Sequence, residues 1–252
     1  MRRDDQTISS IEELLEKLKQ DTTGCPAPRW YRGHSRKDYP LIPSFFRDNV
    51  DSHFTELDLI NRFKQNGDVL IEPRITKPFE WLFIMRHYDV PTRLLDWTES
   101  PLTALYFAVS DAEKKEEDGV LWVLLPTELN KNTNVVTMNE EEIPGVEDIN
   151  NYGPDSYEGE TSSALLPVAF ICPRTNERMI AQTSVFTIHH KDKTAIESIG
   201  EKDHVWRYVI PKDCKTAIKN ELELLGLTRF QLYPELQSIG RMIKEKIMEQ
   251  VQ

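Results

Sequence analysis

The chain has 252 residues, of which 39% are hydrophobic and 29% charged, and its formal net charge is −11 at pH 7. These values are typical of a globular protein and exclude disordered and fibrous ones. The length is sufficient for one large domain with a substantial core. The negative charge argues against a protein that coats nucleic acid generally, because such proteins bind by neutralising phosphates.

The expected location of the protein follows from its cysteines and from the absence of apolar runs. No apolar run approaches the ~18 residues of a membrane span, and the polar N-terminal segment contains no apolar signal sequence. Cys25, Cys172 and Cys214 are far apart and form no CxxC motif. We therefore expect a cytoplasmic protein with no membrane partner, no disulfide framework and no zinc site.

Hydrophobic periodicity and breaker residues predict a series of elements along the chain. Helices are predicted over 7–20, 51–69, 81–88, from 101 onward, over 212–225 and over 238–250; strands are predicted over 30–33, 92–97, 119–126, 168–172, 178–189 and 205–210. Helices dominate the first part and strands the later part, with no βαβ alternation, which indicates an α+β protein. We predict a helical segment over 1–28 and a single domain over 29–247. Its core is a mixed β-sheet or split barrel with peripheral helices, and a polar surface insertion covers about 128–162.

The segment 81–111 holds the most informative group of side chains. Pro91 excludes Val90 from the helical region and ends one helix, whereas Pro101 begins the next, with Thr98 or Ser100 as its N-cap. Between the two helices stand the polar residues His87, Tyr88, Thr92, Arg93, Asp96, Thr98 and Ser100. Two hypotheses stay open: these residues line a ligand cleft, or Arg93 and Asp96 form a buried structural ion pair.

A second candidate lies in the strand 30–33, where Arg32 precedes a glycine. Arginine binds a phosphate or carboxylate in bidentate fashion, and Gly33 allows a backbone to come close to a ligand. The alternative is that Arg32 forms a salt bridge to Asp96 or another core acid. If the cleft hypothesis holds, 30–33, 92–97 and 182–186 converge on one site.

Four sequence blocks resemble the FRG domain family, named for a Phe/Tyr-Arg-Gly triplet. They are Tyr31-Arg32-Gly33; the segment 87–98, HYDVPTRLLDWT, followed by ALYFA at 104–108; Arg178, Gln182 and Phe186 in an Arg-x-x-x-Gln-x-x-x-Phe pattern; and Tyr-Pro-Glu-Leu at 233–236. The blocks occur in family order over about 30–247.

The order of these blocks also resembles the layout of ADP-ribosyltransferases, and this resemblance implies NAD as co-substrate. It implies that Arg32 binds the NAD diphosphate or ribose, that Thr98 and Ser100 brace the pocket, and that Tyr106 stacks on nicotinamide. The NAD site would also include Tyr31, Gly33, His87, Thr92, Arg93 and Phe186, with Arg32, Asp96, Thr98 and Gln182 as catalytic residues. Gln182 departs from the layout, because a glutamate is expected at this point.

The basic residues concentrate between Arg29 and Arg93, so a positive face is expected to attract a polyanion. Nucleic acid is therefore favoured over protein as the acceptor of ADP-ribose. The resemblance further implies a bacterial or phage-defence toxin whose partner is an antitoxin or inhibitor protein. Two alternatives remain: a non-enzymatic module that binds nucleic acid or protein through the same cleft, and a metal-dependent nuclease using Asp96, Glu99 and Asp111.

Overall fold

A mixed β-sheet organises the chain in the computed structural model, which describes residues 5–22, 27–72, 74–133, 142–158 and 165–251. Its strands are β1 (Gln6–Thr7), β2 (Trp30–His34), β3 (Leu94–Thr98), β4 (Gly119–Leu124), β5 (Val168–Phe170), β6 (Ser184–Ile188) and β7 (Val205–Ile210). Within the described residues the strand order is β1-β7-β4-β2-β3-β6-β5. The β1–β7 pair is parallel and the other pairs are antiparallel.

Helices surround this sheet, and together they form the expected α+β arrangement. They are α1 (Ile11–Thr22), α2 (Ser44–Arg47), α3 (Glu56–Gly67), α4 (Pro78–His87), α5 (Pro101–Val109), α6 (Pro126–Asn130), α7 (Pro154–Glu158), α8 (Glu177–Ala181), α9 (Lys215–Leu224), α10 (Arg229–Leu232) and α11 (Leu236–Val251). Several predicted boundaries are confirmed. Pro101 begins α5 with the Ser100 side chain as N-cap, and Gly226, at φ 82°, follows the end of α9.

The sheet divides near its middle. Strands β2 and β3 are paired at a single position, where Tyr31 faces Thr98. By contrast, β2 pairs with β4, and β3 with β6, along five residues each. Two well-paired halves, β1-β7-β4-β2 and β3-β6-β5, therefore part beyond this pair. Residues from β2, β4, β3 and β6 meet in a shared hydrophobic cluster that includes Trp30, Trp97, Trp122 and Val185. Packing of large side chains thus joins the two halves where backbone hydrogen bonds do not.

Each half of the sheet also has its own hydrophobic core. Helices α1, α5 and α9 pack on β2, β4 and β7, and α3 and α4 pack with β3, β5 and β6. The N-terminal segment belongs to the first core, because β1 pairs with β7 and Ile8, Ile11 and Leu14 are buried there. The predicted first helix starts at Ile11 rather than at residue 7.

The predicted strand over 178–189 is wrong in its first half. Residues Glu177–Ala181 form α8, because the Asn176 side chain accepts a hydrogen bond from the Met179 amide and caps a helix. Thr183 then adopts a positive φ of 43°, which breaks the backbone before β6 begins at Ser184. The alternation of apolar residues therefore predicted the strand correctly over 184–188, but not over 177–181, where the Asn176 cap favours a helix.

The polar segment at 128–162 is more deeply packed than a surface insertion. Ile149 and Tyr152 are buried in the core under α3 and α4, and the Tyr152 hydroxyl donates to the Leu166 carbonyl at 2.6 Å. Two apolar side chains therefore tie an otherwise acidic segment to the domain. Residues 134–141 and 159–164 of this segment lie outside the described residues.

Candidate ligand-binding cleft

A cavity of about 1070 Å³ lies where the two halves of the sheet part. This volume is slightly above the ~300–1,000 Å³ usual for sites that hold small molecules and cofactors. Its lining is rich in two residue types. The arginines are Arg32, Arg47, Arg86, Arg178, Arg229 and Arg241. The aromatic residues include Tyr31, Phe83, Tyr106, Phe107, Phe186 and Tyr233. These six arginines outnumber the four carboxylates of the lining, Asp48, Asp96, Asp111 and Glu113, so the cavity has an excess of positive charge although the chain as a whole is acidic.

Arg32 is held rigidly at the division of the sheet. Its Nη1 donates to the Asp96 carbonyl at 2.5 Å, and its Nε donates to His34 Nε2 at 2.8 Å. His34 Nδ1 lies 3.2 Å from the Tyr39 carbonyl, which can only accept, so the imidazole proton is on Nδ1. Burial, followed by the nearby Arg32, lowers the pKa of His34 well below its usual value and keeps it neutral. Burial also lowers the pKa of Arg32 to about 10, so this side chain stays cationic at neutral pH.

Asp96 supplies an ionised carboxylate to the same cavity. Its Oδ2 accepts from Arg86 Nε at 2.8 Å and lies 2.7 Å from Arg86 Nη2 and 3.6 Å from Arg32 Nη1. Burial acts to raise the pKa of Asp96, but Arg86 and Arg32 outweigh burial and hold it below its usual value. The side chain is 34% exposed. Within the described part of the chain all hydrogen bonds and ion pairs of its side chain use Oδ2, so Oδ1 can accept from a ligand.

The proposed ion pair between Arg93 and Asp96 is wrong. Arg93 is fully buried and pairs with Glu56, whose Oε2 lies 2.9 Å from Nε and 2.8 Å from Nη2. The remaining Arg93 donors reach the carbonyls of His189 and Tyr152, each at 2.7 Å.

The structure thus places Arg93 outside the cleft, with its hydrogen-bonding capacity used inside the protein. Thr92 is likewise fully buried and does not line the cavity. The assignment of both residues to an NAD site is therefore corrected. The alternative for Arg32, a salt bridge to Asp96, matches the observed contact.

Gly33 allows a close backbone approach, but from a helix rather than from a ligand. A Cβ atom at Gly33 would lie 1.8 Å from the Ala104 carbonyl oxygen and 2.7 Å from the Ala108 amide nitrogen. The absence of a side chain therefore lets β2 contact the backbone of α5 directly. This contact also fixes α5, which carries the cavity residues Tyr106 and Phe107.

Thr98 and Gln182 fasten the elements around the cleft. The Thr98 hydroxyl donates to the Gln182 carbonyl at 2.6 Å and accepts from the Ser100 amide at 3.0 Å. The Gln182 side chain donates to the Leu232 carbonyl at 3.0 Å. Ser100 does not line the cavity; its hydroxyl accepts from the Thr103 amide and caps α5. Thr98 and Gln182 line the cavity, and these contacts fix the positions of β3, α8 and α10 relative to one another.

Arg86, Arg178, Arg229 and Tyr233 are among the cavity residues that were not predicted as site residues. Arg178 and Arg229 both lie over the Tyr233 ring, with Cζ atoms 4.5 and 4.8 Å from its centroid. Arg178 Nη1 also donates to the His87 carbonyl at 3.1 Å. Arg86 belongs to the site through its pairing with Asp96. Arg178 and Tyr233 stand in the sequence blocks quoted above, so those blocks were the available signal; Arg229 had none.

His87, Tyr106 and Phe186 line the cavity as expected for contact residues. Phe186 packs against Phe83 with ring centroids 5.4 Å apart, and burial, then Arg178, lowers the pKa of His87. Neither a group of three or more His, Cys, Asp or Glu placed to hold a metal ion nor a helix able to cross a membrane occurs among the described residues. Cys172 and Cys214 are free thiols, and Cys25 lies outside the described residues.

Together the fold and the site define an α+β protein with an arginine-lined cleft at the division of its sheet. The model of the FRG domain family matches residues 27–117, so the chain carries an FRG domain. This match includes the Tyr-Arg-Gly triplet and the segment 87–98. The two later blocks lie outside it, although Arg178, Gln182 and Tyr233 line the same cavity. No curated protein and no solved structure matches the chain.

Proposed function

We propose that this protein is an NAD-dependent enzyme of the ADP-ribosyltransferase type that modifies a macromolecule, with nucleic acid preferred over protein. The observation that carries the proposal is the ionised carboxylate of Asp96 set among arginines in one cavity between the two halves of the sheet. The division of the sheet beside Arg32 supports an ADP-ribosyltransferase-like arrangement of the strands.

The residues present fit NAD in size, charge and shape. A cavity of about 1070 Å³ has room for a dinucleotide. Arginine side chains pair with phosphates in bidentate fashion, and aromatic side chains such as Tyr106 and Phe186 offer surfaces for the ring systems. Asp96 Oδ1, which makes no hydrogen bond or ion pair among the described residues, is available to accept a hydrogen bond from a sugar hydroxyl.

NAD supplies a nicotinamide–ribose bond whose cleavage leaves positive charge on the sugar. A carboxylate stabilises such charge when it is already fixed in place. Gln182 carries no charge, and its side-chain amide donates to the Leu232 carbonyl. Asp96 is therefore the residue that supplies the stabilising carboxylate. Arg86 holds Oδ2 and thereby fixes the direction in which Oδ1 points.

A nucleic-acid acceptor is supported by the arginines nearer the outside of the cavity. Arg47 is 35% exposed and Arg241 is exposed, and both line the cavity. A polyanion is drawn to such cations even on a protein with a net negative charge, because the attraction is local.

Labelled NAD tests the proposal directly. The purified chain is incubated with labelled NAD and with RNA, DNA or cell protein, beside the variants Asp96→Asn and Glu147→Gln. Wild type and Glu147→Gln are expected to label nucleic acid, since Glu147 lies on an exposed surface paired with Lys77. Asp96→Asn is expected to lose the label. Absence of label transfer, NAD hydrolysis and NAD binding in wild type would rule the proposal out.

A non-enzymatic binding module is the second candidate, and one observation favours it. Arg86 and Arg32 compensate the charge of Asp96, which leaves the cleft positive and suited to an anion. Binding of RNA or DNA oligonucleotides that is sensitive to salt and to Arg47→Gln, without any NAD turnover, would select this candidate.

We also propose that the enzyme acts as a toxin, with an antitoxin or inhibitor protein as partner. An activity that modifies nucleic acid supports this, because it would harm the cell that contains it. Low-level expression in a bacterium is expected to slow growth for wild type and to slow it less for Asp96→Asn. Equal growth of the two strains at equal protein levels would contradict the toxin role.

A further inference from the structure

Arg178 and Arg229 differ from Arg32 and Arg86 in their partners. Arg32 and Arg86 are both committed to Asp96. Arg178 makes a single hydrogen bond, to the His87 carbonyl, and Arg229 makes none within the described residues. Neither forms a salt bridge with a carboxylate in that part of the chain, although Arg178 contributes to lowering the pKa of Asp96. These two guanidinium groups therefore keep most of their N–H donors for a ligand.

The same two arginines are held in place by an aromatic ring. Both lie over Tyr233, with Cζ atoms 4.5 and 4.8 Å from the ring centroid, and Phe107 packs edge-on against that ring at 6.2 Å. A guanidinium over a ring is stabilised by the ring electrons, while its N–H donors at the edges stay free. The stack therefore fixes the cations without using their hydrogen-bonding capacity.

Contacts between distant segments bring the stack together. Arg178 belongs to α8, and Arg229 and Tyr233 belong to α10 and the residue after it. Gln182, directly after α8, donates to the Leu232 carbonyl at the end of α10. This hydrogen bond joins the two elements next to the ring, so the position of the two arginines is set before any ligand arrives.

We infer that Arg178 and Arg229, held on Tyr233, form the subsite for the two phosphates of a diphosphate ligand. The identity of that ligand as NAD rests on the proposed function, whereas the diphosphate-binding property rests on the stack alone. Two guanidinium groups on a shared ring suit two adjacent phosphates, since each can bind one phosphate through paired N–H donors. Arg32 is then a positioning residue that holds Asp96 and the strand edge. Arg178 and Arg229, rather than Arg32, bind the diphosphate.

Calorimetric titration with inorganic pyrophosphate tests the subsite. Wild type is expected to bind, and Arg229→Gln and Arg178→Gln are expected to bind on the order of 10- to 100-fold more weakly, because each loses charge-assisted hydrogen bonds. Arg229→Gln removes no hydrogen bond of the described protein, so its fold is expected to be intact. The matched control is Arg62→Gln. The Arg62 Cζ atom lies 5.1 Å from the centroid of the Phe54 ring, and neither residue lines the cavity. This variant is expected to bind pyrophosphate with the affinity of wild type.

Two variants of the ring separate stacking from hydrogen bonding. Tyr233→Phe keeps the ring and is expected to bind pyrophosphate within about 3-fold of wild type, a difference well under 1.4 kcal/mol. Tyr233→Leu removes the ring and is expected to weaken binding as the arginine variants do. Equal pyrophosphate affinity for wild type and Arg229→Gln, or no binding by wild type, would overturn the subsite.

The same titrations with ADP-ribose distinguish failure of the subsite from failure of the proposed function. If ADP-ribose binds wild type and Arg229→Gln equally, the proposed function stands and the subsite is wrong. If pyrophosphate binding depends on Arg229 but ADP-ribose and NAD do not compete with it, the subsite stands and the proposed function is wrong.

Discussion

Replacing Glu56 with glutamine tests the buried ion pair that anchors the start of β3. The Glu56 and Arg93 side chains are both 0% exposed. Glu56 Oε1 accepts from the Arg93 amide at 3.1 Å, and Oε2 accepts from its guanidinium. Glu56→Gln keeps the shape of the side chain but leaves a buried cation without its counter-charge.

The cost follows from the complete burial of the pair. Removing one partner of a buried ion pair typically costs ~3–5 kcal/mol. For a chain of this size each kcal/mol lowers the melting temperature by about 2–4 °C, so a decrease of roughly 6–20 °C is expected. The exposed pair of Glu147 and Lys77, with side chains 72% and 57% exposed, gives the contrast, because Glu147→Gln is expected to cost at most ~1 kcal/mol.

Urea unfolding, followed by both tryptophan fluorescence and circular dichroism, measures the two variants under the same conditions. Coincident transitions are required before free energies are compared. The double variant Glu56→Leu with Arg93→Met is expected to recover much of the loss, since apolar side chains leave no buried charge. A loss for Glu56→Gln no larger than that for Glu147→Gln would contradict a stabilising role for the buried pair, and would mean that backbone carbonyls alone satisfy Arg93.

Three further predictions concern packing, hydrogen bonding and pH. Gly33→Ala is expected to lower the free energy of unfolding by ~3 kcal/mol or more, because its Cβ has no room against α5. Gly240→Ala, in open space within α11, is expected to raise it by up to ~1 kcal/mol. Thermal melts compare the two variants, and equal effects would contradict the clash at Gly33. Thr98→Val is expected to cost ~1–3 kcal/mol in urea unfolding, since a carbonyl loses its donor, and no change would show that the hydroxyl is dispensable. Burial lowers the pKa of His34 well below 6.5 and that of His189 to about 3, so below pH ~6.5 the unfolded chain takes up protons that the folded chain does not. The free energy of unfolding is therefore expected to fall as pH drops from 6.5 toward 4, by up to ~1.4 kcal/mol per pH unit for each such histidine, and a flat urea midpoint between pH 7 and 5 would contradict this.

The elements around the cleft were largely predictable because local rules set their ends. Proline geometry separates α4 from α5 with an extended segment between them, and the Ser100 side chain caps α5. The strand over 205–210 agrees with Val205–Ile210. Where two local signals competed, as at 178–189, the apolar alternation suggested a strand while the Asn176 cap produced a helix.

The pairing of charges was decided by the tertiary structure alone. The sequence has 31 basic and 42 acidic residues, so every arginine has many possible partners, and proximity in sequence misleads. Arg93 pairs with Glu56 instead of Asp96, which is only three positions away, because side chains an odd number of positions apart on an extended chain point to opposite faces.

Short-range spacing in the sequence was therefore enough to predict most of the elements in order and to reveal the blocks that resemble the FRG domain family, although it missed α8. It also indicated which blocks carry polar residues worth attention. Only the tertiary structure decided that Arg32 fixes the strand edge and that Arg178 and Arg229 share the Tyr233 ring. The physical reason is that these contacts join segments far apart in the chain, and the packing of the two halves of the sheet selects among the many pairings that the composition allows.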